Sequence, residues 1–484
     1  MTESIPAKEP VQAVSSPSDN HPAPDRQRAF AASALALAAL LSYFLFKAEV
    51  RTSTHLLLGL LIAFLATGPA LAWVKRARSS LPVFEVFMLT GLNAYAMPLL
   101  NGHESLMLYG DADITTAALA VVVFQIAAIA SHEATTGLPL TSSFWRTELI
   151  TQNAGRWLLH GVTANCAYNC LSTFTTVVPL SLEGTLRAIF FGVGLVCTFV
   201  TARRLGAGEL TSSERIYFFL ILFVQCLASI ATLFLVGAVS TLVLTVIGYV
   251  SSSRRIPFAA AIAVLMVLAV LHNGKSAMRD IYWDHEDRTM PTPGQLPEFF
   301  AEWIRQGLKP GTDERDKKIT AKLVDRTSLL QMMCLVVSLS PAQQPFLNGE
   351  TYKDIPAQFV PRFLWANKPL GHVSTSKLSV YYGLQSDEDT EKTTIGFGLP
   401  AEAYANFGFL GVTLIGVLFG FIIKKAQCWA RESPILSGGG LLIVILLAWS
   451  FQTEFTLSMW LASFYQACMA LLVMPYAIRT LIHG

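Results

Sequence analysis

Charged side chains are scarce in this sequence. Asp, Glu, Lys and Arg make up 14% of its 484 residues, whereas hydrophobic residues make up 53%. Soluble domains carry about 25% charged residues. Because so large an apolar excess cannot be buried in one soluble core, the composition excludes an ordinary soluble domain and indicates a polytopic membrane protein. The formal net charge of only +2 argues against a nucleic-acid partner.

Cysteine motifs are also missing. The chain has seven cysteines, an odd number, and no Cys-x-x-Cys pair occurs. Most of these cysteines lie inside apolar runs, where they are expected to pack as small buried residues. The pattern therefore supports neither a disulfide framework nor a zinc site, and we expect no metal and no other cofactor.

Apolar runs cover most of the chain after residue 28. Residues 1–28 are rich in Pro, Ser and Ala and are predicted to form a disordered cytoplasmic tail. A bilayer-crossing helix needs roughly 17–25 residues. Runs of about this length predict an all-α protein with about 12 transmembrane helices, at 29–46, 55–74, 82–100, 114–131, 156–178, 185–202, 216–234, 236–251, 256–272, 399–423, 435–452 and 456–478. The first nine spans occupy 29–272, and the last three lie within 399–484.

Basic residues support this assignment. Clusters of Lys and Arg follow the even-numbered spans, at 75–78, 203–204, 254–255, 424–431 and 479. Because cytoplasmic loops carry the excess of Lys and Arg, we expect both termini to be cytoplasmic. Treating 216–251 as one span would place Arg254 and Arg255 outside, so we divide this run into two spans.

The remaining segment, residues 273–398, is predicted to be one large outer loop. It contains nearly half of the charged residues of the chain, and parts of it have helical periodicity. The apolar run 328–341 is too short to span a bilayer and is interpreted as a re-entrant or interfacial helix. The outer loop is the one polar region large enough to hold a site.

Cations cluster in this loop, beside the predicted outer membrane boundary. Six of them are candidate ligands for a lipid-linked diphosphate: Lys275, Arg279, Arg288, Arg326, Arg362 and Lys368. Arginine binds phosphate oxygens through two parallel hydrogen bonds, and cations stabilise a leaving diphosphate without a metal ion. The pattern favours inverting glycosyl transfer from a polyprenyl-diphosphate donor.

Such a transfer also needs a proton acceptor near the attacking sugar hydroxyl. His372 and Glu402 are the candidates, and the choice between them stays open. Glu402 and Asn406 are four residues apart and are expected on one helix face. Tyr404 and Asn406 are candidate supporting residues, and Arg187, near the outer start of the sixth span, is a further candidate cation.

Two other interpretations compete with this one. Asp111 and Asp113 lie on a predicted outer loop, where an acidic pair could hold a divalent cation for a metal-dependent transferase, although Asp is also common at helix starts. A flippase or transporter of lipid-linked sugar is the non-enzymatic alternative. Transporters commonly have internal repeats and charges near the bilayer midplane, and the sequence shows neither pattern clearly.

Two stretches of the late sequence resemble a known family. "VPRFLWANKP" is followed about thirty residues later by "GLPAEAYANFGFLGV", and the pair is similar to segments of the Wzy-type O-antigen polymerases. "LNGETY" at 347–352 also fits this pattern. The resemblance covers 326–425, and the related O-antigen ligases look similar at this level.

The resemblance implies an enzyme of the bacterial inner membrane, with its site on the periplasmic side. Such an enzyme moves a growing glycan from undecaprenyl diphosphate onto the next lipid-linked repeat unit. Arg362 would bind the diphosphate, and Glu402 or His372 would be the base. The implied partners are the lipid-linked oligosaccharide, the bilayer, a chain-length regulator and other polysaccharide-assembly proteins.

Overall fold

The chain is all-helical wherever its structure is described. The computed structural model describes residues 23–76, 81–148, 155–175, 177, 180–233, 235–253, 257–282, 291–309, 328–360, 364–365, 367–392 and 394–469. No β-strand occurs among these residues, and one isolated bridge joins Glu148 to Ser437. The predicted all-α fold class is confirmed.

The N-terminal third begins with a helix that starts earlier than predicted. The first helix includes residues 23–28, which the sequence assigned to the tail. The elements are α1 (Ala23–Lys47), α2 (Ser53–Arg76), α3 (Val83–Gly91), a π-helical stretch (Leu92–Ala96), α4 (Met97–Leu100), a 3-10 helix (Glu104–Leu108), α5 (Asp111–Ala134) and α6 (Ser143–Arg146).

The middle of the chain confirms that 216–251 contains two helices. The elements are α7 (Gly155–Phe174), α8 (Leu180–Ala207), α9 (Ser212–Ala231), α10 (Leu235–Ser253), α11 (Phe258–Tyr282), a 3-10 helix (Pro293–Gln295) and α12 (Leu296–Leu308). A capping box formed by Thr211 and Glu214 starts α9, because their side chains satisfy backbone donors at the helix N-terminus.

The C-terminal part contains short helices and then three longer ones. The elements are α13 (Leu329–Leu339), α14 (Ile355–Gln358), α15 (Val373–Tyr381), α16 (Asp387–Lys392), α17 (Gly398–Trp429) and α18 (Gly438–Trp449), followed by α19 at 457–469. With 11 residues, α13 is too short to span a bilayer, as predicted.

Among the described residues, six helical segments are long and apolar enough to cross a membrane. These are Ser53–Lys75, Val83–Leu100, Asp111–Ala134, Ile189–Ala207, Ser212–Ala231 and Gly398–Trp429. Each coincides with a predicted span. The other predicted spans correspond to helices that are shorter or less apolar in the described part of the chain, so twelve spans remain a prediction.

The centre of the fold is the pair α5 and α17, which run parallel. A Cβ on Gly416 would lie 2.8 Å from the carbonyl oxygen of Phe124, and a Cβ on Gly420 would lie 2.2 Å from that of Ala128. The glycines therefore let the two backbones touch, which is how membrane helices commonly pack. The short helix α13 packs against both helices.

Loop contacts define two ends of the helical bundle. The site end contains 49–55, 100–113, 395–398 and 450–457. There, Glu49 N–H donates to the Leu100 carbonyl, and Gly398 N–H donates to the Glu454 carbonyl. Helix α13 joins these two groups of loops, since it contacts the 3-10 helix at 104–108 as well as α17.

The basic end contains 132–146 and 425–437. Lys425 Nζ donates to the Thr136 carbonyl at 2.9 Å, and Arg146 contacts Glu432 at 3.4 Å. The loops at this end are among those predicted to be cytoplasmic, and those at the site end are among those predicted to be outside. The grouping of these loops at the two ends of the bundle therefore agrees with the grouping predicted from the positions of Lys and Arg.

A second, smaller core joins α9, α10, α11 and α12. Trp303 of α12 is fully buried there, and its indole N–H donates to the Leu271 carbonyl at 2.7 Å. Helix α11 ends at Tyr282, ten residues beyond the end of its predicted span at 272. Lys275 and Arg279, predicted to lie in the outer loop, are therefore held on a rigid helix.

Candidate functional site

The N-terminal part of α17 is separated from the rest of the helix by a break. Phe407 has φ −145° and ψ 18°, and Gly408 has φ 59° and ψ −144°. A side chain at Gly408 would be strained at this φ, and its Cβ would lie 3.1 Å from the Phe346 ring. The span predicted at 399–423 lies within the membrane-length helix Gly398–Trp429, but the sequence did not predict this break.

A distant segment supplies hydrogen-bond donors at this break. The Leu347 N–H donates to the Ala405 carbonyl at 2.9 Å, and the Asn348 N–H donates to the Asn406 carbonyl at 3.1 Å. These carbonyls lie where the helical hydrogen-bond ladder is interrupted. The 347–352 segment, which the sequence associated with the late-span motif, is thus bound directly to that motif.

The Asn406 side chain fixes this segment further. It is fully buried, and its Oδ1 accepts from the Gly349 N–H at 2.9 Å. Its Nδ2 donates to Thr351 Oγ1 and to the Glu402 carbonyl, both at 2.8 Å. The last bond confirms that Glu402 and Asn406 share one helix face. Asn406 therefore holds the 347–352 segment and the first part of α17 together.

Glu402 is fully buried and contacts the start of another helix. Its Oε2 accepts a hydrogen bond from the Leu457 N–H at 2.6 Å. Leu457 is the first residue of α19, where backbone donors are free and a negative charge is favoured. The carboxyl therefore joins the beginning of α17 to the beginning of α19.

The start of α15 meets the same point from another direction. Ser374 Oγ lies 2.7 Å from Thr456 Oγ1, and Thr375 Oγ1 lies 3.3 Å from it. His372 precedes α15 as its N-cap residue and is half-buried. Burial lowers the pKa of His372 below its usual range. The imidazole is therefore neutral near pH 7, in the form that can accept a proton.

Lys368 contacts backbone carbonyl groups of the preceding segment. Its ammonium is buried and donates to the carbonyls of Gln358 at 3.1 Å and Val360 at 2.9 Å. The nearby Phe359 ring packs edge-on against Tyr465 of α19, with centroids 5.2 Å apart. Lys368 thus links its own segment to the backbone at residues 358 and 360. Arg362 itself, like Arg288 and Arg326, lies outside the described residues.

Lys275 and Arg279 of α11 both interact electrostatically with Glu454. Arg279 Nη2 also donates to the Leu233 carbonyl at 3.1 Å. Surrounding protein raises the pKa of Glu454, and the two cations oppose this shift. A Cβ on Gly396 would lie 2.7 Å from the Glu454 Cβ. The α11 cations therefore lie beside the segment that enters α17.

Sequence reasoning missed Glu454. A signal was present, because Glu454 is the one acidic residue in the short turn between the last two predicted spans. That turn was predicted on the same side of the membrane as the large outer loop. A carboxylate in such a turn could have been added to the candidate site residues.

Tyr404 and Arg187 are the two remaining candidate site residues that the structure describes. The Tyr404 ring is buried and packs edge-on against Phe346 and Phe409, with centroids 6.0 and 5.6 Å away. Arg187 is exposed on α8, about one turn before Phe191, whose ring contacts Trp449 at 5.6 Å. Trp449 ends α18 close to the 450–457 loop, so Arg187 also lies at the site end.

The acidic pair considered for a metal site lies at the start of α5. Asp111 is the first helical residue and Asp113 the third, while Gly110 is the N-cap. Asp111 Oδ1 lies 3.4 Å from Arg51 Nη1. Both carboxylates complement the helix dipole. In the described part of the chain, no group of three or more His, Cys, Asp or Glu residues could hold a metal ion.

The fold defines the class of this protein as an all-helical chain with several helices suited to a membrane. Residues 189–462 match the family described as Domain of unknown function (DUF8712), and the chain belongs to that family. No curated protein and no solved structure matches it. The matched region includes every candidate residue of the diphosphate site except Arg187, whereas Asp111 and Asp113 lie outside it.

Proposed function

We propose that this protein is a membrane glycosyltransferase that polymerises lipid-linked oligosaccharide repeat units. One observation carries the proposal. Glu402, from the second stretch that resembles Wzy-type polymerases, and the start of α15, which follows the first stretch in sequence, both contact the start of α19. Glu402 binds Leu457 there, and Ser374, two residues after His372, contacts Thr456.

The donor in this proposal is a glycan on undecaprenyl diphosphate. Arg362, Lys275 and Arg279 bind the diphosphate, with Arg187, Arg288 and Arg326 as further candidate cations. The acceptor hydroxyl oxygen forms a bond to the anomeric carbon as the bond from that carbon to the diphosphate breaks. The cations stabilise the negative charge on the departing diphosphate, and no metal ion is needed for this step.

The hydroxyl proton needs an acceptor that the substrate can reach. His372 is half-buried and has a lowered pKa, so a neutral imidazole is available near pH 7. Glu402 is fully buried, and one carboxylate oxygen is occupied by the Leu457 N–H. We therefore assign the base to His372 and a positioning role to Glu402, which holds α17 and α19 together.

We further propose that the chain crosses the bacterial inner membrane twelve times, with both termini in the cytoplasm. The site end then faces the periplasm, where lipid-linked repeat units would be joined. The separation of basic loops from candidate site residues between the two ends of the bundle supports this orientation.

The function is tested by glycan length in a strain that lacks the gene. Single repeat units should replace polymer, and long glycan in a clean deletion would contradict the proposal. Polymer of normal length that is no longer attached to its final acceptor would indicate a ligase instead. Arg362→Ala should fail to restore polymer although the protein still inserts. Arg305→Ala is the matched control, since Arg305 is exposed on α12 and has no proposed role.

The orientation is tested by labelling introduced cysteines with a membrane-impermeant thiol reagent in intact cells. Glu388→Cys, exposed in α16, should react, whereas Ser213→Cys, exposed at the start of α9, should react only after lysis. None of the seven native cysteines is exposed where the structure describes them, so background labelling should be low. The reverse pattern would contradict the proposed orientation.

A further inference from the structure

Helix α12 lies along the outer half of α11 and runs back towards the membrane. At its beginning, the Phe299 ring packs edge-on against Tyr282, with centroids 5.0 Å apart. Near its end, a Cβ on Gly307 would lie 2.0 Å from the Val270 carbonyl oxygen. Val270 falls inside the span predicted at 256–272, whereas Tyr282 lies ten residues beyond it. The two helices are therefore antiparallel, and the C-terminal end of α12 returns to the level of the predicted membrane boundary.

The side chains of α12 form three stripes, because residues three and four apart share a helix face. The stripe that packs on α11 is buried and contains Phe299, Trp303 and Gly307. A second stripe is exposed and apolar, and it contains Pro297, Ala301, Ile304 and Leu308. The third stripe is charged and contains Glu298, Glu302, Arg305 and, just after the helix, Lys309. A helix with an exposed apolar stripe beside a charged one is suited to the boundary between lipid and water.

Two large apolar side chains are exposed at the C-terminal end of α12. Ile304 is 45% exposed and Leu308 is 65% exposed. The α11 face that α12 covers includes Leu271 and Met278. By helical spacing this face continues to Val267, one turn deeper in the predicted span, which is 58% exposed. The end of α12 therefore adjoins an uncovered apolar surface that belongs to the predicted span of α11.

The level of this surface selects lipid as its occupant. Exposed apolar patches mark contacts with protein or with membrane. Leu308 directly follows Gly307, whose backbone lies against Val270, so the exposed end of α12 is level with a residue of the predicted span. The charged stripe lies on another face of α12 and can stay in water while the apolar stripe contacts lipid.

We propose that the C-terminal turn of α12 inserts Ile304 and Leu308 among the acyl chains of the outer leaflet. This inference rests on the proposed membrane crossing of α11, and it adds a direct lipid contact to the large outer loop. A Cβ on Gly274 would lie 2.7 Å from the Trp303 carbonyl oxygen. The lipid contact therefore anchors α12 beside Gly274, the residue before the candidate cation Lys275.

Spin labels on introduced cysteines test this contact in the purified full-length protein in nanodiscs. Ala301→Cys, Ile304→Cys and Leu308→Cys place the label at successive positions of the apolar stripe. Collision with oxygen, which concentrates in lipid, is compared with collision with a water-soluble nickel chelate. The ratio of oxygen to nickel collisions should rise from residue 301 to residue 308, over a depth difference of up to about 10 Å, the rise of seven helical residues. Glu298→Cys, in the charged stripe near the start of α12, is the control and should collide mainly with nickel.

Val267→Cys separates failure of this inference from failure of the proposed crossing. A label there should collide with oxygen and little with nickel. If it does so while the Leu308→Cys label collides mainly with nickel, the insertion is overturned and the crossing of α11 stands. Mainly nickel collisions at Val267→Cys would overturn the crossing and the insertion with it.

The same measurement distinguishes lipid from protein as the cover of this surface. A Leu308→Cys label that neither reagent reaches would show that a second copy or another part of the chain covers it, and would overturn the insertion. Wild-type protein treated with the spin label measures any labelling of the native cysteines. If Leu308→Cys does not fold, Ile304→Cys carries the test, with more oxygen and fewer nickel collisions than Glu298→Cys as the expected result.

Discussion

The Glu402 carboxyl accepts a hydrogen bond from the Leu457 N–H at 2.6 Å and thereby joins two helices that are 55 residues apart in sequence. Glu402→Ala should lower the free energy of unfolding by about 2–4 kcal/mol, because it removes the acceptor of the Leu457 N–H and leaves a cavity. Glu402→Gln keeps an acceptor oxygen and should cost only about 1 kcal/mol. Thermal unfolding of both purified variants measures the difference, and equal losses would contradict the role assigned to this bond.

The break in α17 should be sensitive to any side chain at its glycine. Gly408→Ala is expected to lower the free energy of unfolding by about 1–3 kcal/mol, since Gly408 has φ 59° and little space beside Phe346. Gly208→Ala tests φ alone, because Gly208 has φ 76° with no neighbouring atom within 4 Å. Gly294→Ala, in open space at an ordinary φ, is the control. Similar melting temperatures for Gly408→Ala and Gly294→Ala would argue against a constrained break.

His372 should determine the acidic limb of the activity profile. Its pKa is lowered by burial, so activity should persist below the usual histidine pKa of about 6.5. Activity should then fall as the imidazole takes up a proton. His372→Gln should reduce turnover by about 10²–10⁴-fold. His160→Gln, at an exposed position on α7, should keep the wild-type profile, and a fully active His372→Gln would refute the assignment of the base.

The same lowered pKa predicts how stability changes with pH. Because the unfolded chain binds a proton at His372 more readily than the folded protein does, the free energy of unfolding should decrease as pH falls below about 6.5. Denaturant unfolding at several pH values measures this slope. His372→Gln should have a shallower slope than wild type over the same range, and identical slopes would contradict the burial of the imidazole.

Lys368 should act through the shape of its loop. Lys368→Met removes the donor to two backbone carbonyls and should lower the free energy of unfolding by about 1–3 kcal/mol. Polymer formation should also fall, because Lys368 contacts the backbone at residue 360, two residues before Arg362 in sequence. Lys309→Met, at an exposed position after α12, is the control. Weaker binding of undecaprenyl diphosphate without any loss of stability would instead indicate a direct contact between Lys368 and the diphosphate.

Local patterns predicted much of the helical structure correctly. The division of 216–251 followed from the placement of Arg254 and Arg255, and the structure has α9 and α10 there. The length of the apolar run at 328–341 was enough to predict a helix too short to span. The spacing of Glu402 and Asn406 placed them on one helix face. Each of these features depends on residues close together in the chain, so short-range sequence carries the information.

Other features could not be predicted in this way. The break at Phe407 and Gly408 lies inside a continuous apolar run, and the donors from Leu347 and Asn348 that satisfy it come from a separate segment. The charge of Lys368 is visible in the sequence, whereas the two carbonyls to which its ammonium donates are not. The interaction of Glu454 with Lys275 and Arg279 of α11 likewise joins segments that are far apart in sequence.

The sequence by itself determined an all-α chain, the position of most helices and the division of its loops into two groups. Hydrophobic run length and charge placement decide these properties, since each residue meets lipid or water largely independently of distant partners. Only the tertiary structure decided which polar groups meet at the start of α19 and which cations face Glu454. Those contacts depend on packing and hydrogen-bond geometry between remote segments, which the order of residues does not display.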